Sequence, residues 1–258
     1  MKHRILFIVG IIIVIFTLLT VKSYNYYAPA SLLPIYKIPS KQDDTLRIAY
    51  IGDSWAFYHR NHTCRIPAII ETSIRPVKVI SKGMCGARSK KIYQVMFSEN
   101  EETFRDVLME SPQFCVVMAG VNDTYTKTGS EAFAHNMELI IRFFLSNDVM
   151  PVIVEIPDYD IEGAYKRQTT LKKLLRYLSM TITKSNINCL NAYRSALECR
   201  LKETGLDKQI IYIKGTDWND NYTLYQSDCL HLNDDGYLKL DTCIAQYIIS
   251  SILSSPSR

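Results

Sequence analysis

Five short, unbroken apolar runs recur along the chain, and they constrain its fold more than any other feature. Continuous rather than alternating apolar residues are expected in strands of a parallel sheet that is covered on both faces. The long segments between the runs leave room for crossover helices. The pattern predicts a three-layer α/β/α domain around a mostly parallel, five-stranded sheet. The runs are Leu46 to Ile51, Val77 to Ile80, Phe114 to Met118, Val152 to Ile156 and Ile210 to Ile213.

Several of the intervening segments carry apolar residues at helical spacing. Glu131 to Phe144 has this period, and Ile161 to Ile182 and Ala192 to Leu201 share it. Near the C-terminus, Asn233 or Asp234 can cap a last helix. We expect the face that this helix turns towards the sheet to carry Leu238, Ile244, Tyr247 and Ile248.

An almost unbroken apolar run from Ile5 to Val21 follows Lys2, His3 and Arg4. The run is long enough to cross a bilayer, and the basic start favours a cytoplasmic N-terminus. We predict a signal-anchor or transmembrane helix over residues 1–22, a linker over 23–44 and a globular domain over 45–258. Membrane anchoring through the helix would leave the domain outside the cytoplasm, in the periplasm or at the cell surface.

Two other interpretations of the N-terminal run compete with an anchor. A cleaved signal peptide, with Ala28-Pro29-Ala30 as the small-residue site, would give a secreted form, but the segment before that site is long and bulky. A buried core helix would be shorter and would carry a polar stripe. The linker is rich in Tyr, Pro, Ser and Lys without periodicity, which is typical of a tether that lifts a domain off the membrane.

Charge and cysteine content exclude some partners. The net charge of +4 comes without a long basic run, so we expect no nucleic acid partner. The 7 cysteines show no Cys-x-x-Cys pair and no nearby histidine cluster, so we expect no zinc or other metal. Cys115 lies in a strand-like run and is expected in the core, whereas a disulfide between Cys85 and Cys229 is a hypothesis for an oxidising compartment.

Polar residues and glycines follow the first three apolar runs directly. Ser54 follows the first run, Gly83 and Gly86 follow the second, and Asn122 follows the third. In an open parallel sheet, ligands bind beyond the carboxyl ends of the strands. We therefore expect these loops to share one crevice.

A carboxylate and an imidazole near the C-terminus, together with Ser54, complete the set of side chains that acyl transfer requires. Asp228 lies three residues before His231, a spacing that fits one tight turn. The carboxylate can then hold one ring nitrogen while the other nitrogen faces Ser54. A hydroxyl nucleophile, a general base and an orienting carboxylate are the groups that a serine hydrolase requires.

Four ordered sequence blocks contain these residues. In them the chain resembles the SGNH hydrolase superfamily, also called GDSL esterases, whose signature blocks are centred on Ser, Gly, Asn and His. The resemblance extends over roughly Thr45 to Leu253, and four ordered motifs are far more specific than one short match. The blocks are Gly52-Asp53-Ser54-Trp55, Gly83-Met84-Cys85-Gly86, Gly120-Val121-Asn122-Asp123 and Asp228-Cys229-Leu230-His231.

The resemblance implies a role for each matching residue. Ser54 would be the nucleophile, His231 the general base and then acid, and Asp228 the residue that orients His231. The oxyanion hole would consist of the Ser54 and Gly86 amides and the Asn122 side chain, without a cofactor or a metal. The implied fold is flavodoxin-like.

Other residues near these blocks have open interpretations. Trp55 stands where leucine is usual and either contributes to substrate binding or packs beneath the loop. Asp123 is expected to brace a loop. The rival bases are His59 and His62, in a polar stretch without an obvious carboxylate partner, and His135, on a polar helix face that we expect to be solvated.

An outward-facing, membrane-tethered serine esterase meets envelope carbohydrate first. We therefore expect removal of acyl groups, acetyl above all, from carbohydrate hydroxyls through a Ser54 acyl-enzyme. Trp218 and Tyr222 lie in a loop that also contains Tyr225, Asn219 and Asn221, a mixture that suits either a sugar-binding surface or an ordinary surface loop.

Other functions remain open at this point. A glycan O-acyltransferase would use the same residues and pass the acyl group to a sugar hydroxyl instead of water. A non-catalytic envelope glycan-binding protein would keep the fold alone. A lipase is less favoured because no long apolar lid segment stands between the motifs.

Overall fold

The five apolar runs form five strands of one sheet in a computed structural model. The structure describes residues 2–30, 36–41, 43–60, 64–99, 103–217, 219 and 222–254. Every pair of neighbouring strands is parallel, and their order is β2-β1-β3-β4-β5. This confirms the predicted sheet. The strands are β1 (Leu46–Gly52), β2 (Val77–Gly83), β3 (Phe114–Met118), β4 (Met150–Val154) and β5 (Ile211–Ile213).

Helices flank the sheet as the spacing predicts. In the first half of the chain they are α1 (Lys2–Tyr24), α2 (Ser54–His59), α3 (Ile66–Glu71), α4 (Ser89–Met96), α5 (Arg105–Leu108) and α6 (Val121–Thr126). In the second half they are α7 (Ser130–Leu145), α8 (Ile161–Lys166), α9 (Thr170–Ile182), α10 (Leu190–Glu203) and α11 (Asp234–Ser254). Helix α7 packs beside α4 and α10, and α11 packs beside α3 and β5.

The burial pattern explains why the sheet lies at the centre. Every residue of β1 and of β3 is buried, as continuous apolar runs require when both faces are covered. The Cys115 side chain lies in this core, as expected. Gly52 at the end of β1 pairs with Gly83 of β2 on one side and with Met118 of β3 on the other. The loops that follow these strands therefore start side by side.

One predicted helical segment is divided in the structure, and the expected cap of the last helix is identified. The period from Ile161 to Ile182 is divided between α8 and α9, because Thr169 takes an extended backbone and starts a second helix. In α11, Asn233 caps the first turn through its side-chain oxygen, which accepts a hydrogen bond from Gly236 N at 3.0 Å.

The inward face of α11 is also partly different from the expectation. Ile244 and Ile248 are buried as expected, but Leu238 and Tyr247 are exposed. The buried stripe begins at Tyr237 and continues through Leu240, Ile244 and Ile248, which leaves Leu238 and Tyr247 on its flanks.

Helix α1 is long and apolar enough to cross a membrane over Lys2–Val21, by length and composition. A signal sequence would satisfy the same criteria. Helix α1 is therefore a candidate membrane anchor or signal sequence. Its apolar side chains are not covered by the rest of the protein.

The residues after α1, expected to be a tether, lie against the domain where the structure describes them. Ala28 N donates to Asn136 Oδ1 of α7 at 2.7 Å, and Asn136 Nδ2 donates back to the Tyr26 carbonyl at 3.0 Å. Further on, Ile38 N donates to Asn147 Oδ1 at 2.7 Å. Tyr26, Ala28 and Ile38 are all buried, so these residues of the predicted linker pack on the domain.

Candidate active site

Ser54 lies at the first turn of α2, which follows strand β1. The Asp53 carboxylate caps the helix by accepting a hydrogen bond from Trp55 N at 3.0 Å. Helix α2 runs so close to β2 that a Cβ on Gly83 would collide with the backbone of Phe57 and Asp53. The glycine at the end of β2 therefore allows the turn that presents Ser54.

The loop from Asp228 to His231 holds its own geometry. Asp228 Oδ1 accepts hydrogen bonds from Leu230 N at 2.9 Å and from His231 N at 3.0 Å. Its other oxygen, Oδ2, lies 2.6 Å from His231 Nδ1. Cys229 between them has a positive φ of 56°, which closes the turn. A three-residue spacing is thus sufficient to place the carboxylate against the ring.

The structure brings the three residues of the predicted set together. His231 Nε2 lies 3.0 Å from Ser54 Oγ, across a sequence separation of 177 residues. The side chain of His231 is 18% exposed and that of Asp228 46%, whereas Ser54 is largely buried. We call Ser54, His231 and Asp228 the cleft triad. Its geometry allows proton transfer from the hydroxyl to the imidazole.

Hydrogen bonds set the ionisation of Asp228. Partial burial acts to raise its pKa, but the hydrogen bonds from the His231 backbone and ring and from Leu230 N outweigh that effect and lower the pKa of Asp228 below its usual value. The carboxylate is therefore ionised at neutral pH and able to stabilise an imidazolium.

The predicted oxyanion donors lie in the segments that follow β1, β2 and β3. Gly86 has a positive φ of 74°, a conformation that favours glycine. The Asn122 side chain, at the start of α6, donates from Nδ2 to Asp53 Oδ2 at 3.4 Å. The amide of Asn122 is thereby oriented by the residue next to Ser54.

Asp53 itself is fully buried beside these groups. Burial raises the pKa of Asp53 to about 7, against the lowering effect of its hydrogen bonds from Trp55 N and Asn122. Sequence reasoning assigned no role to this carboxylate. Its side-chain contacts show that it connects the helix cap of α2 with the Asn122 amide.

Asp123 braces a loop, as predicted. Its carboxylate accepts hydrogen bonds from Ser89 N and Ser89 Oγ, both at 2.8 Å, and from Thr128 Oγ1 at 3.2 Å. These contacts tie α6 and the loop after it to the start of α4. Burial raises the pKa of Asp123 to about 6.

The tentative substrate-binding residues have different outcomes. Trp55 is fully buried, and its ring meets Tyr225 edge to face at 6.2 Å, so it packs in the core rather than at a substrate surface. Tyr222 is exposed and borders a cavity next to Cys229. Trp218 and Asn221 lie outside the described residues.

Two cavities border the loops that contain Cys229 and Gly86. One of about 520 Å³ is lined by Asp158, Asp160, Glu162, Tyr222 and Cys229 among others. The other, of about 410 Å³, is lined by Gly86, Arg88, Lys90, Lys91 and Gln94 among others. Charged side chains line both cavities, with carboxylates in the first and cations in the second.

The hypothesis of a disulfide between Cys85 and Cys229 is wrong in this structure, where all seven cysteines are free thiols. Cys85 is exposed on the Gly86 loop, and Cys229 is half-buried beside the larger cavity. Partial burial raises the pKa of the Cys85 thiol.

His59, expected in a polar loop without a carboxylate partner, instead lies in a second Ser-His-Asp set. His59 Nε2 lies 2.8 Å from Asp241 Oδ1 of α11, and His59 Nδ1 lies 2.7 Å from Ser81 Oγ of β2. The side chains of His59 and Asp241 are each 1% exposed, and the Tyr50 ring stacks on His59 at 4.0 Å. We call Ser81, His59 and Asp241 the internal triad.

His135, another rival base, does not reach Ser54 through any described contact. His135 is half-buried rather than solvated, and its Nε2 lies 3.0 Å from the Ala28 carbonyl. His62 lies outside the described residues.

Three potential metal ligands meet at the internal triad. His59, Cys64 and Asp241 have donor atoms within 4.8 Å of one another. Asp241 already accepts hydrogen bonds at both oxygens, from His59 and from Arg65 N at 2.8 Å. Burial raises the pKa of Cys64 to about 12, so the thiol is protonated in the metal-free protein. The hydrogen bonds of Asp241 join α2 to α11.

Comparison with known proteins identifies a family. The model of the GDSL-like lipase/acylhydrolase family matches residues 50–239. None of the curated proteins compared with the chain matches it significantly.

Several solved structures share the fold. A GDSL-like lipase from Bacteroides thetaiotaomicron is 15% identical, with a TM-score of 0.55 over 90% of this chain and 99% of that one. A family 3 carbohydrate esterase from Clostridium thermocellum is 13% identical, with a TM-score of 0.56 over 81% and 98% of the two chains. An acetyl xylan esterase is 16% identical, with a TM-score of 0.53 over 80% and 100%.

Proposed function

The chain belongs to the GDSL-like lipase/acylhydrolase family and is an ester-hydrolysing serine hydrolase, and on that premise we propose that it removes acetyl or other short acyl groups from carbohydrate hydroxyls. The acyl group passes through an ester on Ser54. The contact of 3.0 Å between Ser54 Oγ and His231 Nε2 carries this proposal.

The cleft triad performs the acylation step. His231 Nε2 takes the proton of Ser54 as Oγ attacks the ester carbonyl, and the contact of 2.6 Å from Nδ1 to Asp228 stabilises the imidazolium. The protonated ring then gives its proton to the leaving sugar oxygen. The products of this step are the free sugar hydroxyl and the acyl-Ser54 ester.

Water completes the cycle by the reverse proton path. His231 takes a proton from the water molecule as its oxygen attacks the acyl carbonyl, and returns a proton to Ser54 Oγ as the carboxylic acid leaves. In both steps the negative oxygen accepts hydrogen bonds from the Ser54 and Gly86 amides and from Asn122. The Asp53–Asn122 contact supports this role, because it fixes the amide before charge develops.

The character of the two cavities supports a carbohydrate rather than a long acyl chain. Carboxylates, lysines, an arginine and Tyr222 can form hydrogen bonds with hydroxyl groups, whereas a fatty acyl chain requires an extended apolar wall. A carbohydrate esterase and an acetyl xylan esterase share the fold, which agrees with the proposal.

We assign the membrane-anchor role to α1, with the domain outside the cytoplasm. The basic residues Lys2 and Arg4 precede the apolar run within α1, which agrees with a cytoplasmic N-terminus. The esterase would then act on glycans that lie close to the membrane surface.

The proposed reaction is tested by measuring the acetate that the full-length protein, in mild detergent, releases from acetylated substrates. We expect turnover of para-nitrophenyl acetate and of acetylated xylan oligosaccharides by the wild type. His231→Ala should lose both activities, and the control His135→Ala should keep them, because His135 bonds only to the Ala28 carbonyl in the described contacts.

The outcomes separate the reaction from its substrate. A folded wild type without activity on para-nitrophenyl acetate contradicts the serine esterase. Activity on that ester but on no glycan contradicts the carbohydrate substrate. Acyl transfer that depends on an added sugar acceptor identifies an O-acyltransferase instead.

A further inference from the structure

Helix α9 presents its apolar side to the outside of the protein. Leu171, Leu174 and Leu175 are 66%, 54% and 45% exposed and lie on one stripe of the helix. Met180, on the opposite side, is buried. Arg176 also faces inward, where its guanidinium lies 3.6 Å from the centre of the Tyr125 ring of α6. A helix that turns leucines outward and a cation inward requires another apolar phase to cover it.

The charge of α9 is of one sign. No aspartate or glutamate occurs between Glu162 and Glu198 in the sequence. The same stretch contains several cations, four of which are in α9 or the turn before it. Exposed leucines beside lysines and arginines are typical of helices that lie in a membrane interface and face anionic headgroups. The cations over the α8–α9 region are Lys166, Arg167, Lys172, Lys173, Arg176 and Lys184.

The position of α9 in the fold agrees with contact between this helix and a membrane surface. Helix α9 lies beside α1, the candidate anchor. The chain leaves α1 at Tyr24 and is already buried against the domain at Tyr26. A domain held this closely to the end of a membrane helix has no tether with which to rise from the bilayer.

We propose that α9 is a membrane-docking helix, with Leu171, Leu174 and Leu175 in the acyl-chain boundary and its lysines at anionic headgroups. Arg176, on the inward face of α9, contacts Tyr125 of α6, the helix that carries Asn122. Docking would therefore hold the candidate active site beside the lipid surface. Acylated carbohydrate at that surface would be presented to the cleft, but the docking itself does not depend on the esterase reaction.

Fluorescence quenching by brominated lipids tests the docking. Leu174→Trp is made in the full-length chain and reconstituted into vesicles of phosphatidylcholine and phosphatidylglycerol with bromine on one acyl chain. Met109→Trp is the matched control, because Met109 is also an exposed apolar residue but lies just before β3, away from α9. We expect quenching of the Leu174→Trp signal to exceed that of the control by about twofold or more, after subtraction of the wild-type signal.

A second arm tests the charge component. In vesicles of phosphatidylcholine alone the excess quenching should fall, since the lysines then lack anionic partners. Equal quenching of the two variants in anionic vesicles overturns the proposal. If the Leu174→Trp fluorescence indicates a buried tryptophan but is not quenched by bromine, and cross-linking captures dimers, the proposal is also overturned. The leucine face would then be assigned to contact with a second copy of the chain. Turnover of para-nitrophenyl acetate, measured on the same samples, reports on the esterase separately.

Discussion

The cleft triad and the internal triad contain the same three residue types but differ in burial, in ring orientation and in sequence separation. The cleft triad joins Asp228 to His231 within one turn and through Nδ1. Its His231 and Asp228 side chains are 18% and 46% exposed. The internal triad joins His59 to Asp241 through Nε2 over 182 residues, and both side chains are buried.

This difference indicates which set can do chemistry. A nucleophile needs access to substrate and donors for the developing oxyanion, and the loops at the ends of β1, β2 and β3 offer both around Ser54. Ser81 is a residue within β2 and not at its end. The internal triad instead connects α2, which carries Ser54, to α11, which follows His231. Identical residue types thus serve acyl transfer in one place and architecture in the other.

The serine of each triad gives the sharpest contrast. Ser54→Ala should lower kcat for para-nitrophenyl acetate by about 10⁴-fold or more, because no hydroxyl remains to be acylated. Ser81→Ala should leave kcat within about threefold and lower the free energy of unfolding by about 1 kcal/mol, the typical value of one hydrogen bond. Steady-state kinetics and urea unfolding of both variants check this, and a large loss of kcat in folded Ser81→Ala would break the distinction.

The same substitution in the two carboxylates should separate activity from stability. Asp228→Asn should lower kcat by about 10²-fold to 10⁴-fold, because the amide no longer stabilises the imidazolium, with little change in unfolding. Asp241→Asn should lower the free energy of unfolding by about 3 kcal/mol, because it disturbs a buried histidine and Arg65 N, while the folded variant keeps its kcat. Reversed effects would assign the chemistry to the internal triad.

Asn122 tests the oxyanion side of the cleft triad. Asn122→Ala should lower kcat by about 10²-fold to 10³-fold and change KM little, because the lost donor acts on the transition state. The matched control is Asn219→Ala, whose side chain donates to Tyr225 OH at 2.7 Å, away from Asp53. Similar losses in both variants would argue against a specific role for the Asn122 amide.

The buried Asp53 predicts a smaller, pH-dependent effect on stability. Its pKa is raised to about 7 in the folded state, against about 4 when unfolded. Between these values the folded protein retains a proton that the unfolded chain has released, so stability falls as the pH rises from about 4 to about 7.

Asp53→Asn removes this titration. From pH 5 to pH 8 the wild type should lose about 2 kcal/mol more of its free energy of unfolding than the variant does. Urea unfolding followed by tryptophan fluorescence at the two pH values checks this difference. Parallel changes in the two proteins would contradict a buried, protonated Asp53.

Sequence patterns predict the parts of this fold that depend on local spacing. Continuous apolar runs predicted all five strands, and the spacing of Asp228 and His231 predicted their contact, because three residues span one turn. The sequence does not predict the internal triad, because Ser81, His59 and Asp241 form no motif with a recognisable spacing.

Periodicity also leaves the direction of a helix face undetermined. Leu171, Leu174 and Leu175 have the spacing of a buried stripe, and only the packing of Arg176 on Tyr125 shows that the stripe faces outward. The segment after α1 has no periodicity at all. Its attachment depends on Asn136 and Asn147, which lie more than a hundred residues further along the chain.

The most direct test of the central claim is to locate the adduct of a fluorophosphonate ester, which reacts with a serine that an adjacent base has activated. Mass mapping of the labelled full-length protein should find one adduct per chain, on the peptide that contains Ser54, and His231→Ala should label far more slowly. An adduct on Ser81, or none on a folded protein that still hydrolyses para-nitrophenyl acetate, would contradict the assignment of Ser54 as the nucleophile.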